Sequence, residues 1–296
     1  MILRVILATR SCVKVLGSVM DAAIARRHTL DIRVRSRPYR DEVEARDYTR
    51  WPHVTTAIAD ATIAVRLEEA RHGVGLKVIV PYFWEFLMQH MRAYVGSDIL
   101  VCYPSEEAAQ RHGAPAPVVT GWTIADHARL VPTDASLRRR HIFFSMKRDV
   151  PRQQRVPYLQ LALLDRWSAR RRGLEWVVKT RAKHKDPWWL RRLAYWYYED
   201  RDMYPHTSQR LLATAASMSH FTSGAVAEAV LHNVPTLWYR SADHRHLLRP
   251  HEKQPDDYLQ PWLMDKPTYV RRFLGWDDGH NGDRVISAIE ARLHAS

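Results

Sequence analysis

The chain has 296 residues, 46% of them hydrophobic and 26% charged, which predicts one large or two medium globular domains and excludes a disordered, collagen-like or coiled-coil chain. Its two cysteines exclude a disulfide framework and a four-cysteine zinc site, and they fit a reducing compartment. No uncharged apolar run approaches the roughly 20 residues that cross a bilayer. We therefore expect a cytoplasmic protein. The net charge of +13 attracts anions, unless it only reflects a genome that favours arginine.

The amino terminus is apolar and predicts a buried first strand over residues 2–8. Arg10 and Lys14 interrupt the apolar run, so the segment does not read as a signal peptide. The next predicted elements are a loop over residues 9–17, a helix over 18–27 and a strand over 30–34. This β–loop–α–β opening indicates a parallel sheet.

Strands and helices continue to alternate along the rest of the chain. Predicted strands cover residues 76–80, 98–103, 117–120, 141–145, 175–180, 217–221 and 236–239, and predicted helices cover 105–111, 158–171, 188–198 and 225–231. Between them, residues 123–140 carry Pro132 and a run of arginines, which is typical of a linker. We therefore predict an α/β protein with two Rossmann-like domains that face a cleft, residues 1–130 and residues 131–296.

The sharpest functional signal is the segment 219–239, in which a strand leads through Thr222, Ser223 and Gly224 into a helix. Small residues at such a turn let backbone N–H groups approach an anion, and the helix amino terminus favours negative charge. Glu228, one turn inside the helix, can accept hydrogen bonds from sugar hydroxyls. An ordinary helix capped by serine or threonine is the alternative interpretation.

This segment resembles the donor-site signature of the GT-B glycosyltransferase superfamily. It is similar to the Ser-Gly…Glu-Ala…Pro stretch of lipid A disaccharide synthases and UDP-N-acetylglucosamine 2-epimerases, and to the corresponding stretch of CDP-glycerol glycerophosphotransferases. The resemblance implies that Thr222, Ser223 and Gly224 contact the diphosphate of a nucleotide sugar and that Glu228 contacts its ribose.

Two other predicted strand ends carry residues that fit the same donor site. Lys179 ends a strand in a segment that resembles the strand-Lys-x-His-Pro stretch of the glycerophosphotransferases, which implies a contact with a donor phosphate. Ser145, Lys147 and Arg148 follow the strand that opens the second half, where GT-B proteins place a donor-binding loop. A solvated basic loop is the alternative for these residues.

Glycosyl transfer also requires a base that takes the proton of the acceptor hydroxyl as it attacks. Glu85, just past a predicted strand end, is the preferred candidate, and Asp21 on the first helix is the second. A surface carboxylate or a helix cap is the alternative for either one. Lys14 and Ser18 are candidates for further contacts in the cleft.

The resemblance implies no bound metal or other cofactor, because GT-B enzymes neutralise the leaving diphosphate with basic side chains and a helix dipole. A histidine cluster at residues 244–251 is not expected to bind a metal, since arginines lie between its members.

The positive charge, together with the aromatic residues and arginines interleaved in residues 188–198, predicts an anionic acceptor or surface. We expect a glycosyltransferase that moves a sugar from a nucleotide-sugar donor to an anionic or lipid-linked glycan, with possible peripheral contact at the inner membrane face. DNA with modified bases is the alternative acceptor. A polyol-phosphate transferase and a non-enzymatic basic binding module are the competing classes.

Overall fold

The structure, a computed structural model, describes residues 1–35, 43–82, 99–114, 116–145, 155–180, 187–221, 223–240 and 255–295. It consists of two compact units: unit 1 is Met1–Arg129 together with Pro267–Ser296, and unit 2 is Leu130–Lys266. The sequence prediction had assigned residues 131–296 to one domain, but residues 267–296 return to unit 1.

The secondary structure alternates between short strands and helices. The strands are β1 Ile2–Leu7, β2 Thr29–Val34, β3 Ala61–Ala64, β4 Leu76–Ile79, β5 Ile99–Tyr103, β6 Val118–Val119, β7 Arg140–Phe144, β8 Glu175–Lys179, β9 Trp196–Tyr198, β10 Ala215–His220 and β11 Thr236–Trp238. The α-helices are α1 Arg10–Ala25, α2 Ala45–Tyr48, α3 Leu67–Ala70, α4 Glu106–His112, α5 His127–Leu130, α6 Arg155–Arg171, α7 Trp188–Leu193, α8 Thr207–Ala213, α9 Ala225–Leu231, α10 Asp256–Leu259, α11 Lys266–Tyr269 and α12 Asn281–His294. Single turns of 3₁₀-helix cover Thr123–Asp126, Ala135–Leu137 and Pro261–Leu263, and a π-helical turn covers Val270–Leu274.

Unit 1 is built on a six-stranded parallel sheet with the order β2-β1-β3-β4-β5-β6. The inner strand β3 is buried along its whole length, as expected for a parallel strand that helices cover on both faces. The edge strand β2, with the sequence Thr-Leu-Asp-Ile-Arg-Val, alternates polar and apolar residues instead. The sheet order changes direction between β1 and β3, which is a topological switch point.

Unit 2 is built on a five-stranded parallel sheet with the order β11-β10-β7-β8-β9. An aromatic cluster packs against this sheet, and Phe143 lies at its centre with ring centroids of Trp176 at 5.3 Å and Phe221 at 5.7 Å. Helix α6 contributes Tyr158 to the cluster, 5.9 Å from Phe143. The switch point of this sheet lies between β7 and β10, so a ligand site is expected at their carboxyl ends.

The prediction of a loop over residues 9–17 was wrong, because α1 begins at Arg10. Thr9, in an extended conformation with φ −148°, precedes the first turn. The helix is buried on almost every side, so its residues do not show the one-sided apolar spacing from which a surface helix is recognised. Ser18, a candidate for a cleft contact, donates instead to the carbonyl of Thr123 at 3.2 Å.

The prediction of one helix over residues 188–198 was also wrong. Helix α7 ends before Ala194, whose backbone is extended with φ −69° and ψ 137°. The aromatic residues after it form the edge strand β9, in agreement with the strand preference of aromatic side chains.

Part of the predicted linker over residues 123–140 is an ordered and buried portion of unit 1. The Asp126 carboxylate accepts hydrogen bonds from the backbone N–H groups of Asn281 at 3.1 Å and Gly282 at 2.8 Å, and so caps α12. Burial raises the pKa of Asp126 to about 6, against the effect of these hydrogen bonds. Gly121 lies beside the cap with φ +87°, and a Cβ atom there would lie 1.9 Å from Oδ1 of Asn281.

Within the described ranges, no helix has both the length and the apolar character that crossing a bilayer requires.

Candidate functional site

The carboxyl ends of the unit 2 strands bring together several residues that the sequence predicts as donor contacts. Ser145 follows β7, and its backbone N–H donates to the carbonyl of Lys179 at 3.0 Å. The Ser145 hydroxyl donates to Oγ1 of Thr180 at 3.4 Å. Ser145 and Lys179 therefore lie side by side at the same sheet edge, beside the switch point. Lys147 and Arg148 lie outside the described residues.

The turn between β10 and α9 carries Ser223 and Gly224, while Thr222 lies outside the described residues. Ser223 is buried, and its hydroxyl accepts a hydrogen bond from the N–H of Ala225 at 3.3 Å. The carbonyl of Gly224 accepts from the hydroxyl of Tyr258 at 3.1 Å. The serine hydroxyl thus stabilises the start of the helix, and its contact with a phosphate stays a prediction.

Lys179 is the last residue of β8, as the sequence predicted, and only 3% of it is exposed. Its ammonium group donates to Oδ1 of Asp200 at 2.5 Å and to the carbonyl of Thr180 at 2.6 Å. A buried ammonium requires such partners, because an unpaired buried charge is strongly unfavourable. Lys179 therefore acts as half of an ion pair and not as the isolated point charge that the sequence suggested.

Asp200 connects Lys179 to a histidine that sequence reasoning missed. Nε2 of His206 lies 3.0 Å from Oδ1 of Asp200. Burial opposes ionisation of this carboxyl, but the charges of Lys179 and His206 outweigh it and hold the pKa of Asp200 well below its ordinary value. Asp200 is therefore a carboxylate throughout the physiological pH range.

The other nitrogen of His206, Nδ1, faces Oε2 of Glu228 at 3.7 Å. Glu228 lies in the first turn of α9 and is only 2% exposed. A chain of ionisable groups thus runs from Lys179 through Asp200 and His206 to Glu228, and we call these four residues the charge relay. It joins the ends of β8 and β9 to α9, on the side of the sheet where the switch point lies.

His232, one turn after Glu228, stays neutral beside the relay. Its Nδ1 lies 2.8 Å from the Thr133 hydroxyl and its Nε2 lies 2.6 Å from Oε1 of Gln209. Burial lowers the pKa of His232 to about 4, although the charge of Glu228 acts in the opposite direction. The His232 ring is therefore engaged with Thr133 and Gln209 and adds no charge beside Glu228.

Asp200 and His206 could be missed because the sequence prediction extended one helix through residues 188–198. With β9 in its place, Asp200 stands directly after the carboxyl end of a parallel strand. Asp200 and Asp202 also form an Asp-x-Asp triplet, a pattern that in some transferases binds a metal. Here Asp200 is paired with Lys179, and Asp202 is paired with Arg210 at 3.7 Å.

Asp21 lies on the first helix, as the sequence predicts, but α1 starts eight residues earlier than the predicted helix. Asp21 therefore lies about 16 Å along the axis from Arg10, at about 1.5 Å per residue. Its Oδ1 accepts a hydrogen bond from Nε1 of the buried Trp51 at 2.7 Å. The role of Asp21 as base stays a prediction. Glu85 lies outside the described residues.

The switch point of unit 1 carries charged residues that the sequence did not single out. Arg10, at the start of α1, donates to both carboxylate oxygens of the buried Asp47, at 2.9 and 3.1 Å. Glu69, also buried, lies in α3 directly after β3. Burial, and then the charge of Glu69, raise the pKa of the Cys12 thiol. Glu69 was missed because β3, with the short sequence Ala-Thr-Ile-Ala, gives a weak strand signal.

The sequence matches no protein-family model and no curated protein. The structure is similar to a Listeria monocytogenes protein described as a UDP-N-acetylglucosamine 2-epimerase, with a TM-score of 0.64, 13% identity, and coverage of 100% of this chain and 97% of that one. It is similar to S. aureus MnaA, solved with UDP, at a TM-score of 0.57 and 12% identity, with 100% and 97% covered. The wall teichoic acid polymerase TagF matches at 0.56 and 10% identity, with 99% and 89% covered. The chain has the GT-B fold.

The GT-B fold confirms the prediction of two Rossmann-like α/β domains, and the donor contacts of segment 219–239 stay predictions. Both sheets are parallel along the described residues, and helices follow strands such as β1, β5, β8 and β10. At 10–13% identity the likeness shows the fold and not the reaction.

Proposed function

We propose that this protein is a glycosyltransferase that moves a sugar from a nucleotide diphosphate donor to an anionic or lipid-linked glycan. The observation that carries the proposal is the charge relay, which ends on Glu228 at the carboxyl edge of the unit 2 sheet. Open parallel sheets bind nucleotides at this edge. Support comes from the similarity to MnaA, which was solved with UDP, and to a polymerase of a cell-wall polymer.

Glu228 binds the donor ribose in this proposal, and the rest of the relay holds Glu228 in place. His206 faces one carboxylate oxygen of Glu228 at 3.7 Å, and Asp200 contacts the other nitrogen of His206 at 3.0 Å. Lys179 balances the charge of Asp200. The Glu228 carboxylate is then left to accept hydrogen bonds from a donor hydroxyl.

The leaving diphosphate lies at the turn of residues 222–224, where Ser223 and Gly224 bring the backbone close. Because Lys179 is already paired, we assign the neutralising charge to Lys147 and Arg148, which follow Ser145 in the sequence. Positively charged groups that are fixed before the reaction stabilise the diphosphate as its charge develops, and this requires no bound metal.

The acceptor hydroxyl must lose its proton to a base as it attacks. Glu85 is the first candidate, and Glu69 at the unit 1 switch point is the second, because it is buried beside the carboxyl end of β3. A base must lie within hydrogen-bond reach of the proton that it takes. Separate Glu85→Gln and Glu69→Gln variants distinguish them: loss of turnover with unchanged donor affinity identifies the base.

Calorimetric titration with UDP, GDP, CDP and dTDP tests the donor site. We expect the protein to prefer the nucleotide with one particular nucleobase. The Glu228→Gln variant should bind that nucleotide more weakly by about 1–3 kcal/mol, or about 5- to 150-fold in Kd. Glu199→Gln is the matched control, since it removes the same charge from an exposed residue paired with Arg191. Unchanged nucleotide affinity in a folded Glu228→Gln protein contradicts the proposal. Binding without base preference and with strong salt dependence indicates a basic binding module instead.

A polyol-phosphate transferase is the second candidate, favoured by the similarity to the wall teichoic acid polymerase. The two reactions differ in what leaves the donor: a sugar transferase releases the nucleoside diphosphate, and a polyol-phosphate transferase releases the monophosphate. Chromatography of the released nucleotide decides between them. Release of neither, with isomerisation of the donor sugar, indicates an epimerase such as those to which the chain is structurally similar.

A further inference from the structure

Helix α6 presents an apolar stripe to solvent on the face opposite the core. Its inner face packs Tyr158, Ala162 and Ala169 against the sheet. Its outer face exposes large apolar side chains along three turns, namely Val156 (64% exposed), Leu163 (43%), Leu164 (55%) and Trp167 (54%). A stripe of this kind is unusual on a free protein surface, where large apolar patches mark binding sites.

A basic cleft adjoins the end of this stripe. It has a volume of 420 Å³, and Arg166, Arg170 and Arg192 line it together with Glu175 and Tyr195. Arg166 and Arg170 lie four residues apart on α6 and so on the same face of the helix. Burial, and then the charge of Arg170, lower the pKa of Arg166. Within the described part of unit 2, none of the three arginines forms an ion pair, and the Glu175 carboxylate is engaged with Arg140 at 3.4 Å. The cleft therefore carries an excess of positive charge.

Exposed aromatic rings surround the cleft. Trp188 is 68% exposed, and the guanidinium of Arg192 lies over its ring at 5.0 Å. Arg171 lies over the ring of Trp167 in the same way at 4.5 Å. Tryptophan beside arginine is the pairing found at membrane interfaces, where the ring enters the headgroup region and the cation meets the phosphate.

We propose that this surface of unit 2, formed by the α6 stripe, the basic cleft and its aromatic rim, binds an anionic phospholipid bilayer, with the cleft arginines on a headgroup phosphate. Exposed tryptophan and arginine also suit nucleic acid. The aliphatic residues Val156, Leu163 and Leu164 favour the bilayer, because they gain nothing from a phosphate backbone and are stabilised when they leave water.

The surface is separate from the donor site. Glu175 is the first residue of β8 and Tyr195 precedes β9, so the cleft lies at the amino ends of these strands, whereas the charge relay lies at their carboxyl ends. Lipid binding goes beyond the proposed function and does not depend on it. Nucleotide affinity and bilayer affinity are measured separately, so the failure of one proposal is distinguishable from the failure of the other.

Co-sedimentation with vesicles tests the proposal, at about 0.15 M salt, where the Debye length is about 8 Å. We expect binding to vesicles of phosphatidylcholine with phosphatidylglycerol and not to phosphatidylcholine alone. Arg166→Gln/Arg170→Gln should weaken binding about 30-fold, or about 5-fold for each charge. Arg71→Gln/Arg292→Gln removes the same charge from exposed positions in unit 1 and should bind nearly as the wild type does.

A second pair of variants separates apolar insertion from charge. Trp167→Ala should weaken vesicle binding, while Trp262→Ala, which removes a tryptophan of nearly equal exposure (52% against 54%), should not. Thermal unfolding and nucleotide titration of each variant show that it is folded.

Equal binding to both kinds of vesicle, or equal loss in the test and control variants, overturns the proposal. A second outcome also overturns the proposal: the wild type binds duplex DNA but no vesicles, and the Arg166→Gln/Arg170→Gln variant no longer binds the DNA. That outcome identifies a nucleic-acid surface.

Discussion

Acidification should destabilise unit 2 through His220, the last residue of β10. This side chain is fully buried, and its Nδ1–H donates to the carbonyl of Phe221 at 3.1 Å. Its Nε2 has no hydrogen-bond partner among the described residues. Burial lowers the pKa of His220 to about 3, against about 6.5 for a histidine in an unfolded chain.

The sign and size of the effect follow from this difference in pKa. Between about pH 6.5 and pH 3 the unfolded chain binds a proton at residue 220 and the folded chain does not, so the stability falls as the pH falls. The loss is about 1.4 kcal/mol per pH unit below the unfolded pKa. It amounts to about 2 kcal/mol at about pH 5 and about 5 kcal/mol near pH 3.

Urea unfolding of the wild type and of His220→Gln at about pH 7.5 and about pH 5 measures the effect. The difference in pH dependence between the two proteins isolates the contribution of His220, because every other titrating group is the same in both. One such group is Asp126, whose raised pKa makes the stability fall as the pH rises through about 6. We expect the wild type to lose about 2 kcal/mol more than the variant. His72→Gln, at an exposed position, is the control and should behave as the wild type does. Equal pH dependence in the wild type and in His220→Gln refutes the reasoning.

Three further results are expected. Gly121→Ala should destabilise unit 1 by about 2–4 kcal/mol in thermal unfolding, because its φ of +87° and the side chain of Asn281 leave no room for a Cβ; an unchanged Tm contradicts this. Lys179→Met should cost about 1–3 kcal/mol by leaving the half-buried Asp200 with His206 alone, and Lys179→Met/Asp200→Asn should recover part of it in urea unfolding. Cys102, buried and with its pKa raised to about 12, should react with Ellman's reagent only after unfolding, and rapid labelling of the folded protein would show that the site opens.

The sequence predicted strands and helices best where a short stretch of residues is typical of one kind of secondary structure. Strands β1, β7 and β8 are short and rich in β-branched or aromatic residues, and the structure contains each within a residue of its predicted bounds. Helix α1 was shortened because a helix that is buried all round shows no polar face. The return of residues 267–296 to unit 1 was missed because it depends on long-range packing, which no local pattern records.

The candidate site was predictable only in part for a similar reason. Lys179 and Glu228 were found because each follows a recognisable strand and resembles a residue of a known signature. Asp200 and His206 were missed because their importance comes from the distances among the four side chains, 2.5, 3.0 and 3.7 Å. A strand-end carboxylate after an aromatic run is a signal that could have found Asp200.

The return of residues 267–296 to unit 1 has a consequence for the order in which the protein is made. Helix α12 packs so closely on α1 that a Cβ at Gly282 would lie 2.4 Å from the carbonyl oxygen of Ser18. Unit 1 is therefore discontinuous along the chain and is completed only when residues 267–296 have been made, whereas unit 2 is one uninterrupted stretch of chain. Unit 2 can fold before residues 267–296 are made, and the surface of α1 that α12 covers stays exposed until they are. A fragment of residues 130–266 is the natural piece to express alone, and a fragment that stops before residue 267 would leave that surface open to aggregation.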